Sequence, residues 1–212
     1  MRAKSSEAKQ ESPPDRTFIE AARRAQIVAA AIEVIAEVGY AKATFTRIAR
    51  RAGLSSTGMI SYHFSGKDDL MREVVAEVMR VADGYMRPRI EAEATASGRL
   101  RAHIESNLAL LAEFPRHLPA MVEVLSNIRE DTPSMREFAA AMEDMNHSLV
   151  ERIRLAQEAG EFREFNPETL VHALRGSIDS LVQRAARDPR FDAAAHGREL
   201  AEFFERATRR TP

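Results

Sequence analysis

The 212-residue chain contains no cysteine and no tryptophan. Without cysteine there is no disulfide framework, no thiol nucleophile and no thiolate-held zinc, and a reducing, cytoplasmic setting fits. No uninterrupted apolar run reaches the ~18 residues of a membrane span, and the polar N-terminus has no signal-peptide character. Glycine and proline number nine each. No segment alternates apolar and polar residues as a strand does, no repeat is visible, and no Gly-rich phosphate loop is present. The six histidines (63, 103, 117, 147, 172 and 196) include no HExxH and no pair at i, i+4. No G-x-S-x-G elbow exists. The acidic pairs Asp68-Asp69 and Glu143-Asp144 read as solvated helix faces. Nothing therefore points to an enzyme, a metal or a cofactor.

What remains is helix and an uneven charge. Residues 1–67 hold 11 Lys and Arg against 6 Asp and Glu, an excess of five positive charges; residues 68–212 hold 20 against 26, an excess of six negative ones. A basic end on an acidic body is the footprint expected where one end meets nucleic acid. Arg23, Arg24, Lys42, Arg47, Arg50 and Arg51 supply most of it. Residues 1–16 read as a disordered polar leader, whose Arg2, Lys4 and Lys9 could trail into a minor groove. A helix is predicted from a Thr17/Glu20 capping box to Val38, with Gly39 as its stop.

The most telling stretch is Thr46–Ser65. Thr44 is a candidate N-cap, followed by Phe45, Ile48, Ala49 and Ala52 on one helical face. Gly53 stands where a helix end needs positive φ. Ser55 or Ser56 then caps a second short helix, in which Ile60 and Phe64 can be buried together. The other faces carry Thr57, Gly58, Met59, Ser61, Tyr62 and His63. Ser65 with Asp68 restarts a helix, placing Lys67 in a first turn that already favours phosphate. Hydrogen-bonding side chains beside an Arg cluster describe a helix-turn-helix facing DNA.

The elements Gly39-Tyr40, Ala43-Thr44, Ile48-Ala49, Ala52-Gly53, Ser56-x-Gly58, Tyr62-His63-Phe64 and Lys67-x-x-Leu70 resemble the DNA-binding domain of TetR-type transcriptional regulators. The resemblance covers about fifty residues from Arg23 on. It implies phosphate contacts from Thr44, Tyr62 and Lys67, and a DNA-facing set completed by Thr46, Arg47, Ser56, Ser61 and His63. Base reading falls to Thr57, Gly58 and Met59, where methyl groups can meet a thymine methyl and Gly lets the backbone approach. Two departures stand out. The turn at Leu54–Ser56 is one residue longer, and Met59 and Ser61 replace a common Thr and an aromatic Tyr.

Further helices are predicted from near Lys67, weakened or ended by Gly84 and Pro88, then over about 99–113, 118–129, 133–158, 167–187 and 192–209, with a linker at 92–98. The fold class is all-α with about nine helices: a leader (1–16), a three-helix DNA-binding domain (17–66) and a helical effector-binding and dimerisation domain (67–212). Leu170, Leu174, Ile178 and Leu181, with Leu200, Phe203, Phe204 and Ala207, form two stripes at the chain end. They can pair with symmetry mates in a four-helix bundle or serve as plain core. The resemblance implies the former: a homodimer on a palindromic operator, acting as a repressor. It also implies a small, largely apolar effector in the middle region, among Leu108, Leu111, Met121, Leu125, Met142, Met145, Asn146 and Arg175. Methionine suits an adaptable pocket and an ordinary core alike. A helical protein-interaction module without sequence-specific DNA binding is the alternative.

Overall fold

The computed structural model describes residues 13–127, 133–185, 187–188 and 190–210. Among them are nine α-helices and one isolated antiparallel bridge, Phe162 with Arg209. The helices are α1 (Pro13–Val38), α2 (Phe45–Arg51), α3 (Gly58–His63), α4 (Lys67–Glu91), α5 (Ala96–Glu113), α6 (His117–Asn127), α7 (Pro133–Glu158), α8 (Pro167–Ala185) and α9 (Ala193–Thr208).

Most ends follow local chemistry. Thr44, Thr95, Asn166 and Asp192 accept from the backbone N–H three residues on, satisfying donors the helix cannot. Gly53 and Gly160 take φ of 66° and 73°. After each, the next residue bonds back across the turn, Leu54 N–H to Ala49 O at 2.9 Å and Glu161 N–H to Ala156 O at 2.9 Å. This closure needs a left-handed residue that glycine supplies without steric cost.

Four expectations change. α1 begins at Pro13, inside the expected leader; proline suits a first helical turn because its missing N–H has no intrahelical partner there. Thr57, not Ser55 or Ser56, is the N-cap of α3, with no side-chain cap bond. Asp69, not Asp68, reaches back to Ser65, accepting from its N–H at 3.0 Å and its hydroxyl at 3.2 Å. α4 runs through Gly84 and Pro88 to Glu91. The carbonyl that Pro88 would crowd belongs to Gly84, a residue with no side chain and open space about it. The linker thus shrinks, and α5 begins at Ala96. The expectations for Arg2, Lys4 and Lys9, and for a sixth helix reaching residue 129, fall outside the described residues.

Two apolar cores result. The first joins α1, α2, α3 and the first half of α4, with Ala120 and Val124 of α6 packed in. The second joins α5, α7, α8 and α9. α5 packs most extensively on α9, and Arg101 pairs with Glu105 at 2.9 Å and with Glu205 across that contact. Among the described residues no helix is long and apolar enough to cross a membrane.

Candidate nucleic-acid interface and ligand cavity

The helix-turn-helix is held from behind. Ile48 and Ala49 of α2, Ile60 of α3 and the capping Phe64 are buried against α1. Gln26 Nε2 donates to Ala52 O at 2.6 Å, tying the end of α2 to α1. Arg24 donates to His63 O, lies 4.4 Å over the Phe64 ring and pairs with Glu73 at 3.2 Å. One side chain therefore closes the C-terminus of α3, the core and α4 together.

The opposite surface is free. Thr44, Thr46, Arg47, Ser56, Gly58, Ser61 and Tyr62 are exposed, while Thr57, Met59, His63 and Lys67 are half-buried. Tyr62 is 71 % exposed and edge-on to His63, ring centres 5.0 Å apart. The basic cluster divides. Arg51 is committed to Glu33 and Glu37 on α1, Arg24 to Glu73 and Arg23 to Gln26. Lys42, Arg47 and Arg50 are exposed, and no side-chain ion pair forms on them among the described residues. Lys67 is less available than expected. Its ammonium donates to Tyr40 O at 2.9 Å and lies 3.9 Å from that ring's centre. Burial lowers its pKa. Two of its three donors remain for a phosphate.

The second feature is a cavity of about 2090 Å³ bounded mainly by α4 to α8, with Ala36 of α1 and the start of α9 at its edge. Leu111, Met121, Leu125, Met142, Met145 and Arg175 line it, joined by Met79, Met86, His103 and Asn107. Leu108 does not. It is fully buried towards α9, where a Cβ on Gly197 would stand 3.6 Å from its Cβ. Asn146 also lies outside the lining. The expected dimer stripes are corrected similarly: Leu174, Ile178 and Phe204 are buried in the chain's own second core. Leu170, Leu181 and Leu200 are half-buried against that core, while Phe203, 66 % exposed, and Ala207 face outward.

Sequence reasoning missed the ties between the two regions. Glu123 of α6 accepts from Tyr40 N–H at 3.0 Å, just after α1, and Lys67 holds the Tyr40 carbonyl. Arg116, before α6, meets Glu33 at 3.3 Å and Glu37 at 3.4 Å, the carboxylates that bind Arg51. The one available signal was Glu33 beside Glu37, a like-charge i, i+4 pair that needs a cation between them.

Residues 27–74 match the family described as bacterial regulatory proteins, tetR family. Over these residues the chain is similar to the DNA-binding domain of TetR-type regulators. The matching stretch takes in the buried face of α1, all of the helix-turn-helix and the start of α4, so the TetR-type match and the exposed α3 surface coincide. The HTH-type transcriptional regulator BetI 1 of Chromohalobacter salexigens is 41 % identical over 70 residues, 32 % of this chain and 34 % of that relative. The chain thus matches about a third of the length of such curated relatives. Beyond it the likeness is one of fold. A putative transcriptional regulator from Saccharomonospora viridis, solved with choline, is 22 % identical with a TM-score of 0.79, over 90 % of this chain and 100 % of that one. FadR of Bacillus subtilis, solved with stearoyl-CoA, is 24 % identical with a TM-score of 0.73, over 84 % and 96 %. The curated relatives are HTH-type transcriptional regulators.

Proposed function

We propose that this protein is a transcriptional repressor that binds a palindromic operator as a homodimer and is released by a small molecule in the cavity. The observation that carries the DNA reading is the exposed Ser61–Tyr62 face of α3, flanked by the exposed cations Lys42, Arg47 and Arg50 and braced by a closed core. One six-residue helix reads little sequence. Two of them about 34–36 Å apart, or a multiple of that spacing, read two half-sites. The outward Phe203 and Ala207 on α9, beside the half-buried Leu170, Leu181 and Leu200, supply an apolar face for an isologous contact.

The case for a ligand switch rests on shared walls. Val78 and Met79 of α4 and Leu118, Met121 and Leu125 of α6 belong to the first core or pack on it, and also line the cavity. A ligand that displaces α6 pulls on Glu123 and Arg116, hence on Tyr40, Lys67 and α1. An effector acts only through its differential affinity for the two arrangements, typically ~1–3 kcal/mol. The related structures hold choline and stearoyl-CoA, unlike ligands in a common fold, which fits a cavity whose lining sets its own specificity.

The test is DNA binding against salt. The logarithm of affinity should fall linearly with the logarithm of salt concentration. Replacing Lys42, Arg47 and Arg50 with Gln should flatten the slope by about one for each phosphate no longer neutralised. A slope unchanged in the triple variant, or no binding at low salt, rejects the DNA reading.

A further inference from the structure

One cation of the cavity wall is buried and poorly paired. Arg175, on α8, is about three-quarters buried. Its contacts are poor: Met142 Sδ at 3.7 Å, a weak acceptor, and Asp179 at 3.9 Å, the limit of an ion pair. Arg152, on α7, also lines the cavity and is exposed. His103, on α5, lines the same wall, and its Nε2 is closed off from solvent without a hydrogen-bond partner. A half-compensated guanidinium beside an unpartnered imidazole nitrogen is a polar wall short of an anion.

Most carboxylates of the lining are engaged elsewhere; Asp179 is the weak partner of Arg175 itself, and Asp188 accepts from Arg190 N–H at 3.0 Å. Asp83 grips Arg87, Glu123 and Glu161 accept backbone N–H groups, and Asp192 caps α9. Glu91 is exposed on the last turn of α4. The aromatic residues of the described lining are Phe138, Phe162 and Phe191, with neither Tyr nor the Trp that holds cations best. Met79, Met86, Met121, Met142 and Met145 give the rest of the wall an adaptable apolar surface.

We infer that the cavity takes an amphipathic carboxylate, its head on Arg175 with Arg152 and His103 alongside, its apolar tail along the methionine wall. The inference rests on the cavity being the effector site. His103 agrees with it: burial first, then the charges of Arg175 and Arg152, push its pKa down to about 4. The imidazole thus adds no second fixed charge.

Calorimetric titration of the full-length protein with three decyl probes below their micelle concentrations tests this. Decanoate, decanol and decyltrimethylammonium share a tail and differ in head charge. Decanoate should bind at least about tenfold more tightly than the other two, as a charge-assisted bond to a guanidinium would give. Arg175→Gln should abolish that preference while leaving decanol binding unchanged, which also shows that the variant is folded. Tighter binding of the ammonium, or a carboxylate preference that survives Arg175→Gln, overturns the head-group assignment and leaves the cavity as a ligand site. If no probe binds, both the assignment and the effector reading beneath it fail.

Discussion

The two cores of this chain contrast in how they close. In the first, Ile27, Ile35, Ile48, Ile60, Leu70 and Val74 are wholly buried, and the polar atoms at its edge are used up: Gln26 on Ala52, Arg24 on His63, Lys67 on Tyr40. In the second, Ile104, Leu108, Leu174 and Ala201 close one side, while Leu111, Leu149, Ile153 and Ile178 border the cavity, whose methionine wall also takes in Met79 and Met121 packed on the first core. His103 Nε2, on the wall of that cavity, lacks a partner. A surface that must present side chains in a fixed register needs rigid backing. A site that answers to a ligand needs stability held back until the ligand arrives.

The largest effect expected of that contrast is in packing. Ile48→Ala should destabilise by about 2–5 kcal/mol, because a filled site cannot collapse onto the void. Leu111→Ala, already facing open space, should cost under about 1.5 kcal/mol. Urea unfolding of both variants checks this, and equal losses would erase the distinction between the cores.

Acid should find the hollow core next. The folded pKa of His103 lies below its ordinary 6.5, at about 4, so the unfolded chain binds more protons between those values. Stability from this group is complete above about pH 6.5 and declines as pH falls towards 4, by up to roughly 1.4 kcal/mol per pH unit. Hydrogen exchange at pH 7 and 5 should show protection falling in α5 and α8 more than in α2 and α3, and His103→Phe should remove the difference.

Gly53→Ala sharpens the other side. Its φ of 66° is costly for any side chain, so about 1–2 kcal/mol should be lost, read as a lower midpoint in thermal unfolding. Open space around the glycine attributes that loss to the backbone, and an unchanged midpoint would contradict it. The smallest effect should come from the link between the regions. Glu123→Gln should leave both cores intact yet change ligand–DNA coupling by roughly 0.5–2 kcal/mol, measured as operator affinity with and without saturating ligand.

How far each feature was legible follows from how local its cause is. Thr44, Gly39, Gly53 and the Ile60/Phe64 pair act within a few residues, so the helix-turn-helix could be read along the chain. The apolar stripes of α8 and α9 were equally visible, but a helical period marks a face as buried without saying what buries it. Leu174, Ile178 and Phe204 proved to face their own chain. Helix continuity past Pro88 depended on the residue four positions earlier, which a rule about proline alone does not consult. The ties of Glu123 to Tyr40 and of Arg116 to Glu33 and Glu37 span about eighty residues and left no periodic trace. Arg175 and Asn146 were expected together at the effector site; packing alone decides that Arg175 lines the cavity and Asn146 does not.

The central claim is that the exposed face of α3 reads duplex DNA in duplicate, and selection from a random duplex library by the purified full-length protein tests it most directly. The expected result is an inverted repeat whose half-sites lie one helical turn, or a multiple of it, apart on one side of the duplex, with the preferred bases changed by Met59→Ala or Thr57→Ala. Recovery of no common sequence, or of a single half-site unaffected by either substitution, would contradict it.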